Sequence, residues 1–431
     1  MPLFRFLSSR EFYFIVRAFR YRNYRLFFMG QGISLVGTWM QSMSMSWLIY
    51  RLTNSPFLLG LVYFIGQIPV FILTPIAGVL ADRVSRKEII VVTQSLSMVQ
   101  AFILAALSLS GKIAVWHIII LSFLLGIVNA FDVPVRQAFV ADLIEKKSDL
   151  GNAIALNSLI FNGARVIGPS IAGVLIMLVG EGFCFLLNGI SFCAVLFALI
   201  LIKIKKRSCI HKHHRLFYNM KEGFSYVVSS PPIRIILVLI SVISVFGVFY
   251  PVIMPVFSLK ILKGGAQTLG FLMGGTGFGA FAGALFLASR SGPCGLEKII
   301  PRAMIIFGIS IIAFSLSRIF WLSLVLMIFA GFGMMVQIAA SNTVLQSITD
   351  DDKRGRVMSF YTIAFMGMVP LGSLLAGALT GKIGGTYTLI LSGLTCLIGS
   401  AVFFKKIHLI QEAITGKIMH EEYPLYEKDG S

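Results

Sequence analysis

Four charged residues crowd one short loop between two apolar stretches: Asp82, Arg83, Arg86 and Lys87. The flanking stretches, residues 57–81 and 89–110, are each long enough to cross a bilayer as a helix. Three cations on so short a loop predict that it faces the cytoplasm. Membrane topology needs no acid, so the carboxylate of Asp82 favours an ion-pairing role over a plain topology signal.

A second charged pair, Asp132 and Arg136, stands one helical turn apart at the end of a further apolar stretch. Arg86 placed between Asp82 and Asp132 would give a cluster of alternating charge. The positive N-terminus of a helix that starts near residues 356–359 would attract the Asp82 carboxylate. Docking there would latch the two halves of the chain together on the cytoplasmic side. The alternative is that these charges only set topology.

The elements that must position these residues are membrane helices. The chain has 431 residues, of which 57% are hydrophobic and only 13% charged, against about 45–50% apolar and about 25% charged in a soluble domain. We predict an all-α integral membrane protein with twelve transmembrane helices, because each stretch approaches the roughly 20 apolar residues that a span needs. The twelve stretches are 24–49, 57–81, 89–110, 113–134, 152–179, 182–202, 233–258, 268–289, 302–317, 321–346, 357–380 and 386–404.

The net charge of +19 is unevenly distributed along the chain. With a cytoplasmic N-terminus, 29 of the 37 Lys and Arg residues fall in cytoplasmic segments and six on the other side. This is the positive-inside bias, so we expect both termini in the cytoplasm and no nucleic-acid partner. The predicted divisions are a basic N-terminal segment 1–23, a six-helix bundle 24–202, a cytoplasmic linker 203–232, a second bundle 233–404 and a cytoplasmic tail 405–431.

Glycines repeat between the two halves. Gly168, Gly173 and Gly189 have counterparts 204 residues later, at Gly372, Gly377 and Gly393. This offset predicts two parallel six-helix repeats, a transporter architecture in which the site lies between the halves. Stretch 268–289 carries further glycines at four-residue spacing. They fit either close static packing or smooth faces along which the halves move.

Polar residues inside apolar stretches are the candidates for substrate binding. Arg165 lies near the middle of its stretch, where a charge is costly and points to function. It fits either an anionic substrate or a structural lock that bonds glycine carbonyls or Asn162. The other candidates share helical spacing or a mid-span position, with plain helix-to-helix hydrogen bonding as the alternative for each: Gln31, Ser34, Thr38, Gln41, Gln67, Asn129, Gln337 and Ser341.

The loop pattern Gly-x-x-x-Asp-Arg-x-x-Arg-Lys at 78–87 resembles the loop between helices 2 and 3 of the major facilitator superfamily. The phrases Asp132-Val-Pro-Val-Arg136 and Arg354-Gly-Arg-Val-Met-Ser359 are similar to the bacterial exporter branch that includes the enterobactin exporter. The resemblance spans residues 20–404 and implies the major facilitator fold. It also implies a latch role for the charged residues of this loop, Asp82, Arg83, Arg86 and Lys87. We assign Asp132 and Arg136, at the end of a span on the same membrane face, to the same latch.

We therefore predict a secondary active transporter that exports a small molecule, a siderophore or drug-like compound, by alternating access. It would be a monomeric multi-pass protein of the bacterial inner membrane, with the lipid bilayer and the substrate as partners and no cofactor or metal. A proton is the coupling ion that the resemblance implies, although no acid lies in the middle of a predicted span. A non-transporting sensor or receptor and an importer of the same fold stay open. No phosphate-loop motif occurs, and no clustered catalytic residues indicate an enzyme.

Overall fold

The computed structural model describes residues 17–203, 216–290 and 292–422, and these residues form helices and short turns without a β-strand. Within these ranges the description of side chains leaves out residues 78, 79, 81–83, 216–221 and 418–422. The all-α prediction is confirmed. The predicted loop residues Asp82 and Arg83 therefore have a described backbone but no described side chain.

Six long helices make up the first half of the chain. They are α1 (Arg22–Thr53), α2 (Pro56–Arg83), α3 (Arg86–Leu109), α4 (Val115–Asp142), α5 (Leu150–Val179) and α6 (Glu181–Leu201). Short 3-10 turns precede α1 and α5, at Arg17–Arg20 and Lys147–Asp149.

Ten further helices follow in the second half, because two of the six predicted spans are interrupted and two more helices lie in the predicted linker and tail. They are α7 (Leu216–Ser229), α8 (Pro231–Phe246), α9 (Tyr250–Val256), α10 (Ala266–Ala288), α11 (Leu296–Leu316), α12 (Phe320–Ile348), α13 (Arg354–Thr362), α14 (Val369–Ile383), α15 (Gly385–Lys405) and α16 (Ile407–Glu422). A π-helical turn, Phe257–Ile261, continues α9, and another, Ile363–Gly367, joins α13 to α14.

Eleven of the twelve predicted spans coincide with helical segments long and apolar enough to cross a membrane. The exception is α1, which has 32 residues and is therefore about 48 Å long at 1.5 Å per residue. Its length suffices for a span, but buried polar residues such as Gln31, Ser34 and Gln41 lower its hydropathy. Polar residues that point into a bundle, away from lipid, explain this exception.

Turns at equivalent places in the two halves use the same backbone geometry. Gly180 between α5 and α6 has φ +87°, and Gly384 between α14 and α15 has φ +85°. Glycine adopts this left-handed region without a Cβ penalty, and the two positions differ by the 204-residue offset of the repeat. The predicted internal duplication is thus visible in the turns as well as in the helices.

Residues group by contact into two compact units. Of the described residues, unit 1 contains 17–54, 65–203 and 264–274, and unit 2 contains 55–64, 216–263, 275–290 and 292–422. Helices α2 and α10 are each divided, so that their first residues group with the other half of the chain. The boundaries predicted at residues 202 and 233 stay a prediction.

Glycines allow close helix contacts inside each unit. In unit 1, a Cβ on Gly173 of α5 would lie 2.8 Å from the Ala266 carbonyl oxygen of α10. In unit 2, a Cβ on Gly377 of α14 would lie 2.7 Å from the Pro56 carbonyl oxygen of α2. Both distances are below van der Waals contact with backbone, so neither position accepts a larger residue without helix movement.

Candidate functional site

Asp132 lies inside α4, which continues to Asp142. Its carboxylate is buried. Oδ1 accepts hydrogen bonds from Thr93 Oγ1 at 2.9 Å and from Gln94 Nε2 at 2.8 Å, while Oδ2 lies 3.0 Å from Arg136 Nε. All three partners donate, so this polar network is built around a negative charge and joins α3 to α4. The predicted proximity of Asp132 and Arg136 is present.

Arg86 bonds to Asp142 rather than to Asp132, which differs from the alternating cluster predicted above. Its Nη1 lies 3.0 Å from both carboxylate oxygens of Asp142 and 3.2 Å from the Ala138 carbonyl oxygen. The reason is the length of α4. Asp132 stands ten residues before Asp142, about 15 Å along the helix axis, whereas Asp142 lies beside the first residue of α3.

Lys87 contacts the end of a neighbouring helix, and its predicted latch role stays a prediction. Its Nζ donates a 2.7 Å hydrogen bond to the carbonyl oxygen of Ile202, the residue that follows α6. A cation at the end of a helix satisfies an orphan carbonyl and the negative end of the helix dipole. Lys87 therefore ties α3 to the end of α6. The side chains of Asp82 and Arg83 lie outside the described ones, so the docking of Asp82 and the latch role of Arg83 stay predictions.

Arg165 lies on α5 with its guanidinium carbon 5.7 Å from the centre of the Trp39 ring of α1. Trp39 in turn meets Phe161 edge-to-face at 5.7 Å. Among the described residues no carboxylate lies within ion-pair distance of Arg165. Asn162, one partner considered for a structural lock, donates instead to the Ser158 carbonyl oxygen. The structure thus pairs this cation with an aromatic ring, an arrangement that leaves its N–H donors available to a ligand.

The polar face of α1 divides into a structural part and an open part. Gln41 is buried between helices: its Nε2 donates to Gln100 Oε1 at 2.9 Å, and its Oε1 accepts from Asn188 Nδ2 at 2.8 Å. This is the helix-to-helix hydrogen bonding considered as the alternative for Gln41. Thr38 is exposed and its hydroxyl donates to the Ser34 carbonyl oxygen of the preceding turn.

The remaining candidates differ in burial. Gln31 and Ser34 are buried, and Gln31 Oε1 has no hydrogen-bond partner among the described residues. Gln67 and Asn129 are half-buried. These four and Arg165 all belong to unit 1.

Two candidates lie in unit 2. Gln337 and Ser341 of α12 are buried and bonded to each other, with 3.3 Å between Gln337 Nε2 and Ser341 Oγ. Gln337 Oε1 has no partner within the described part of the chain. Because each unit is compact by itself, the structure brings the unit 1 candidates and this pair into separate groups.

Sequence reasoning passed over a tyrosine–aspartate pair in the first half. The hydroxyl of Tyr21, just before α1, donates to Asp149 Oδ2 at 2.8 Å. Arg20 forms an ion pair with the same carboxylate, and Arg17 Nη1 lies 3.8 Å from it. Asp149 precedes α5, so the pair fastens the chain before α1 to the start of α5.

The second half contains the equivalent pair. Tyr226 on α7 donates to Asp350 Oδ2 at 3.1 Å, and Lys417 Nζ of α16 lies 2.8 Å from Asp350 Oδ1. Tyr226 follows Tyr21 by 205 residues, and Asp350 follows Asp149 by 201. That near-equal spacing is the signal in the sequence that could have revealed both pairs.

The contact between Asp350 and Lys417 shifts the pKa values of both groups. The hydrogen bond from Lys417 lowers the pKa of Asp350, and the same contact raises the pKa of Lys417. Burial raises the pKa of the Tyr226 hydroxyl. These groups lie outside the membrane-spanning helices. Because the pKa of Asp350 is lowered and that of Lys417 is raised, both side chains stay charged across the neutral pH range.

A further ion pair joins α7 to α13: Arg356 Nη1 lies 2.5 Å from Glu222 Oε1. The adjacent rings of Phe224 and Phe360 have centroids 6.2 Å apart. Helix α7, which lies within the predicted linker, is thus fastened to α13 by a charged and an aromatic contact.

Comparison with known proteins places these features in a family. A family profile described as "Transmembrane secretion effector" matches residues 16–424. The chain is 27% identical to the staphyloferrin A transporter of Staphylococcus aureus, over 88% of this chain and 95% of the relative. It is 24% identical to the enterobactin exporter EntS of Shigella boydii, over 86% of this chain and 87% of the relative. It is 22% identical to the multidrug efflux pump Tap of Mycolicibacterium fortuitum, over 82% and 87%.

Solved structures agree on the fold. A bacterial homologue of the human lysosomal transporter Spinster, in an inward-facing and occupied conformation, aligns with a TM-score of 0.70 over 92% of this chain and 98% of that chain, at 14% identity. At this identity the likeness concerns the fold alone. The helical repeats, the charged loop and the family match agree: the chain belongs to the transmembrane secretion effector family of the major facilitator superfamily, and it is a membrane transporter.

Proposed function

We propose that this transporter exports an anionic small molecule, of the siderophore or drug-like type, from the cytoplasm by alternating access. The similarity to a staphyloferrin A transporter, an enterobactin exporter and a multidrug efflux pump supports this range of substrates. The asymmetry of Lys and Arg supports placing both termini in the cytoplasm of a bacterial cell, with the protein in the inner membrane.

The observation that carries the proposal is the environment of Arg165. It is half-buried on a membrane helix, rests on the Trp39 ring and has no carboxylate partner among the described residues. A charge inside a membrane helix is costly and is usually balanced by a partner. A bound anion would supply that partner, and the aromatic pair Trp39–Phe161 would supply an apolar wall beside it.

The experiment that tests substrate and direction compares the culture medium of a deletion strain with that of its parent, in low and high iron. We expect an anionic compound to be depleted from the medium of the deletion strain and to accumulate in its cells. Depletion only in low iron indicates a siderophore. Accumulation of the compound in the medium of the deletion strain would identify an importer and overturn export.

Variants of Arg165 test the binding role. Arg165→Gln should lose substrate affinity by about 10- to 100-fold, because a hydrogen bond to a charged group contributes about 1.5–3 kcal/mol. Arg165→Lys keeps the charge and should keep part of the affinity. Wild-type affinity in the Gln variant would remove Arg165 from the substrate site. A strong loss of thermal stability with unchanged affinity would assign it to helix packing.

We assign Asp132 to gating rather than to proton transfer. Its three donor partners match a negative charge, and a proton on the carboxylate would break the ion pair with Arg136. Asp132, Arg86 and Lys87 would therefore fasten α3 to α4 and α6 as a rigid base for the loop that carries Asp82, and Arg136 would hold the Asp132 carboxylate in place.

A proton gradient is the proposed driving force, and an imposed pH difference across vesicles tests it. Transport that ignores the gradient would exclude proton coupling. Transport by Asp132→Asn that still responds to the gradient would support the gating assignment.

A further inference from the structure

A groove between α8 and α15 opens on the exposed surface of unit 2. We call it the α8/α15 groove, and six residues define it here: Arg234, Val238, Ile398, Val402, Lys406 and Leu409. Its cavity volume is about 390 Å³, and its walls are almost entirely apolar. Val238, Ile398 and Val402 are 57%, 64% and 50% exposed, so the groove meets whatever surrounds the protein.

Two cations stand at one end of this groove. Arg234 lies in the first turn of α8, and Lys406 directly follows α15; both side chains are exposed. Arg234 donates one hydrogen bond, of 3.3 Å, to the Val228 carbonyl oxygen, which leaves most of its five N–H donors available. No acidic residue lines the groove among the described residues. The groove is therefore basic at one end and apolar along its length.

The dimensions fit one leaflet of a bilayer. From Arg234 to Val242 the wall formed by α8 rises about 12 Å, and from Thr395 to Lys406 the wall formed by α15 spans about 16 Å, at 1.5 Å per residue. Half of a hydrocarbon core of about 30 Å is about 15 Å. The groove is thus long enough to reach from a membrane surface to near the midplane, the depth that an acyl chain occupies.

We propose that the α8/α15 groove binds an anionic phospholipid, with the phosphate between Arg234 and Lys406 and an acyl chain along Val238, Ile398 and Val402. Basic pockets between membrane helices attract lipid headgroups through charge, and the apolar walls retain the chain. The site is separate from Arg165 and does not depend on which substrate is transported. Bound lipid would fill the gap between α8 and α15 and extend their packing to the start of α16 at Leu409.

The test uses purified full-length protein, freed of lipid in detergent, and native mass spectrometry with phosphatidylglycerol and phosphatidylethanolamine of identical acyl chains. Wild-type protein should retain phosphatidylglycerol more tightly than phosphatidylethanolamine. Replacing both cations, Arg234→Gln with Lys406→Gln, should abolish this preference. Each replacement alone should weaken phosphatidylglycerol binding about fivefold. The matched control is Lys405→Gln, because Lys405 is the exposed neighbour of Lys406 but does not line the groove.

A second variant tests the apolar part. Val402→Trp would fill the groove and should weaken both lipids, while the exposed position of Val402 leaves the fold intact. Glycerol phosphate, which has the headgroup charge but no chain, should not displace phosphatidylglycerol. An unchanged lipid preference in the double variant would overturn the proposal. An equal loss in Lys405→Gln would overturn it as well. A dimer whose interface contains the groove residues would overturn the proposal, because the groove would then bind a second copy of the chain.

Discussion

The strongest prediction concerns the buried pair Asp132–Arg136, tested by replacing Asp132 with Asn and Arg136 with Gln. The two side chains are 6% and 15% exposed. Breaking a buried ion pair costs about 3–5 kcal/mol in soluble proteins, whereas hydrogen-bond couplings inside membrane proteins average about 0.6 kcal/mol.

Two details of the network place the cost between these limits. Asn keeps one oxygen that can accept from Thr93 or Gln94, but it leaves Arg136 without its counter-charge. We therefore expect Asp132→Asn to lower the free energy of unfolding by about 2 kcal/mol. In the double variant neither charge is unpaired, so the coupling energy should be about 1–2 kcal/mol.

The assay is reversible unfolding of the purified protein in mixed micelles by added SDS, for the wild type, both single variants and the double variant. The control cycle uses Asp351 and Arg354, whose side chains are 86% and 42% exposed. Solvent screening should bring that coupling near zero. A coupling at Asp132–Arg136 no larger than the control would refute the assignment of this pair as a stabilising buried ion pair within α4.

Three further predictions rest on single contacts. Gly173→Ala should destabilise the protein, because the new Cβ would lie 2.8 Å from a backbone oxygen. Its control is Gly163→Ala on the same helix, whose Cβ would meet nothing within 4 Å and which should be neutral or stabilising by up to about 1 kcal/mol. Thermal unfolding of the two variants in detergent tests this difference. Asn188→Ala should cost about 1 kcal/mol of stability through its lost hydrogen bond and leave substrate selectivity unchanged; a changed selectivity in transport assays would contradict the structural role. The ion pair between Asp350 and Lys417 should persist in mild acid, because the pKa of Asp350 is lowered below its ordinary value of 3.8. The pair is complete above that ordinary value and is lost only as the pH falls through the lower folded-state pKa, so distances from a spin label on α16 to one on α12 should stay constant between neutral pH and about pH 5. A separation of α16 from α12 in that pH range would contradict the pairing.

Hydropathy and charge were sufficient to predict the class and eleven spans as apolar helices, and the spacing of glycines was sufficient to predict the repeats. They were insufficient for helix ends, because apolar residues stop where lipid stops while the helix continues into water. The predicted end of the fourth span at residue 134 is eight residues short of Asp142, where α4 ends. That difference alone misassigned the partner of Arg86.

The sequence could not predict which side chains form hydrogen bonds between helices, for a different reason. The hydrogen bonds of Gln41 reach Gln100 and Asn188, which are 59 and 147 residues away in the sequence. A single sequence shows that Gln41 is polar within an apolar stretch but not which helix lies opposite. The contact between Arg165 and the Trp39 ring could not be predicted for the same reason, since Trp39 belongs to another helix.

Comparison of the two halves distinguishes packing features, which occur in both, from charged residues that occur in only one. Close glycine contacts, turn glycines and tyrosine–aspartate pairs occur in both halves at nearly one offset, as expected of devices that hold a six-helix unit together. The position 205 residues after Asp132 is Gln337, and that after Arg136 is Ser341, so a neutral hydrogen bond replaces the ion pair. The position 204 residues after Arg165 is Val369, which carries no charge. Because both halves share the same helix arrangement, charges present in only one of them are not part of the packing common to both halves. They are therefore the first residues to test for transport.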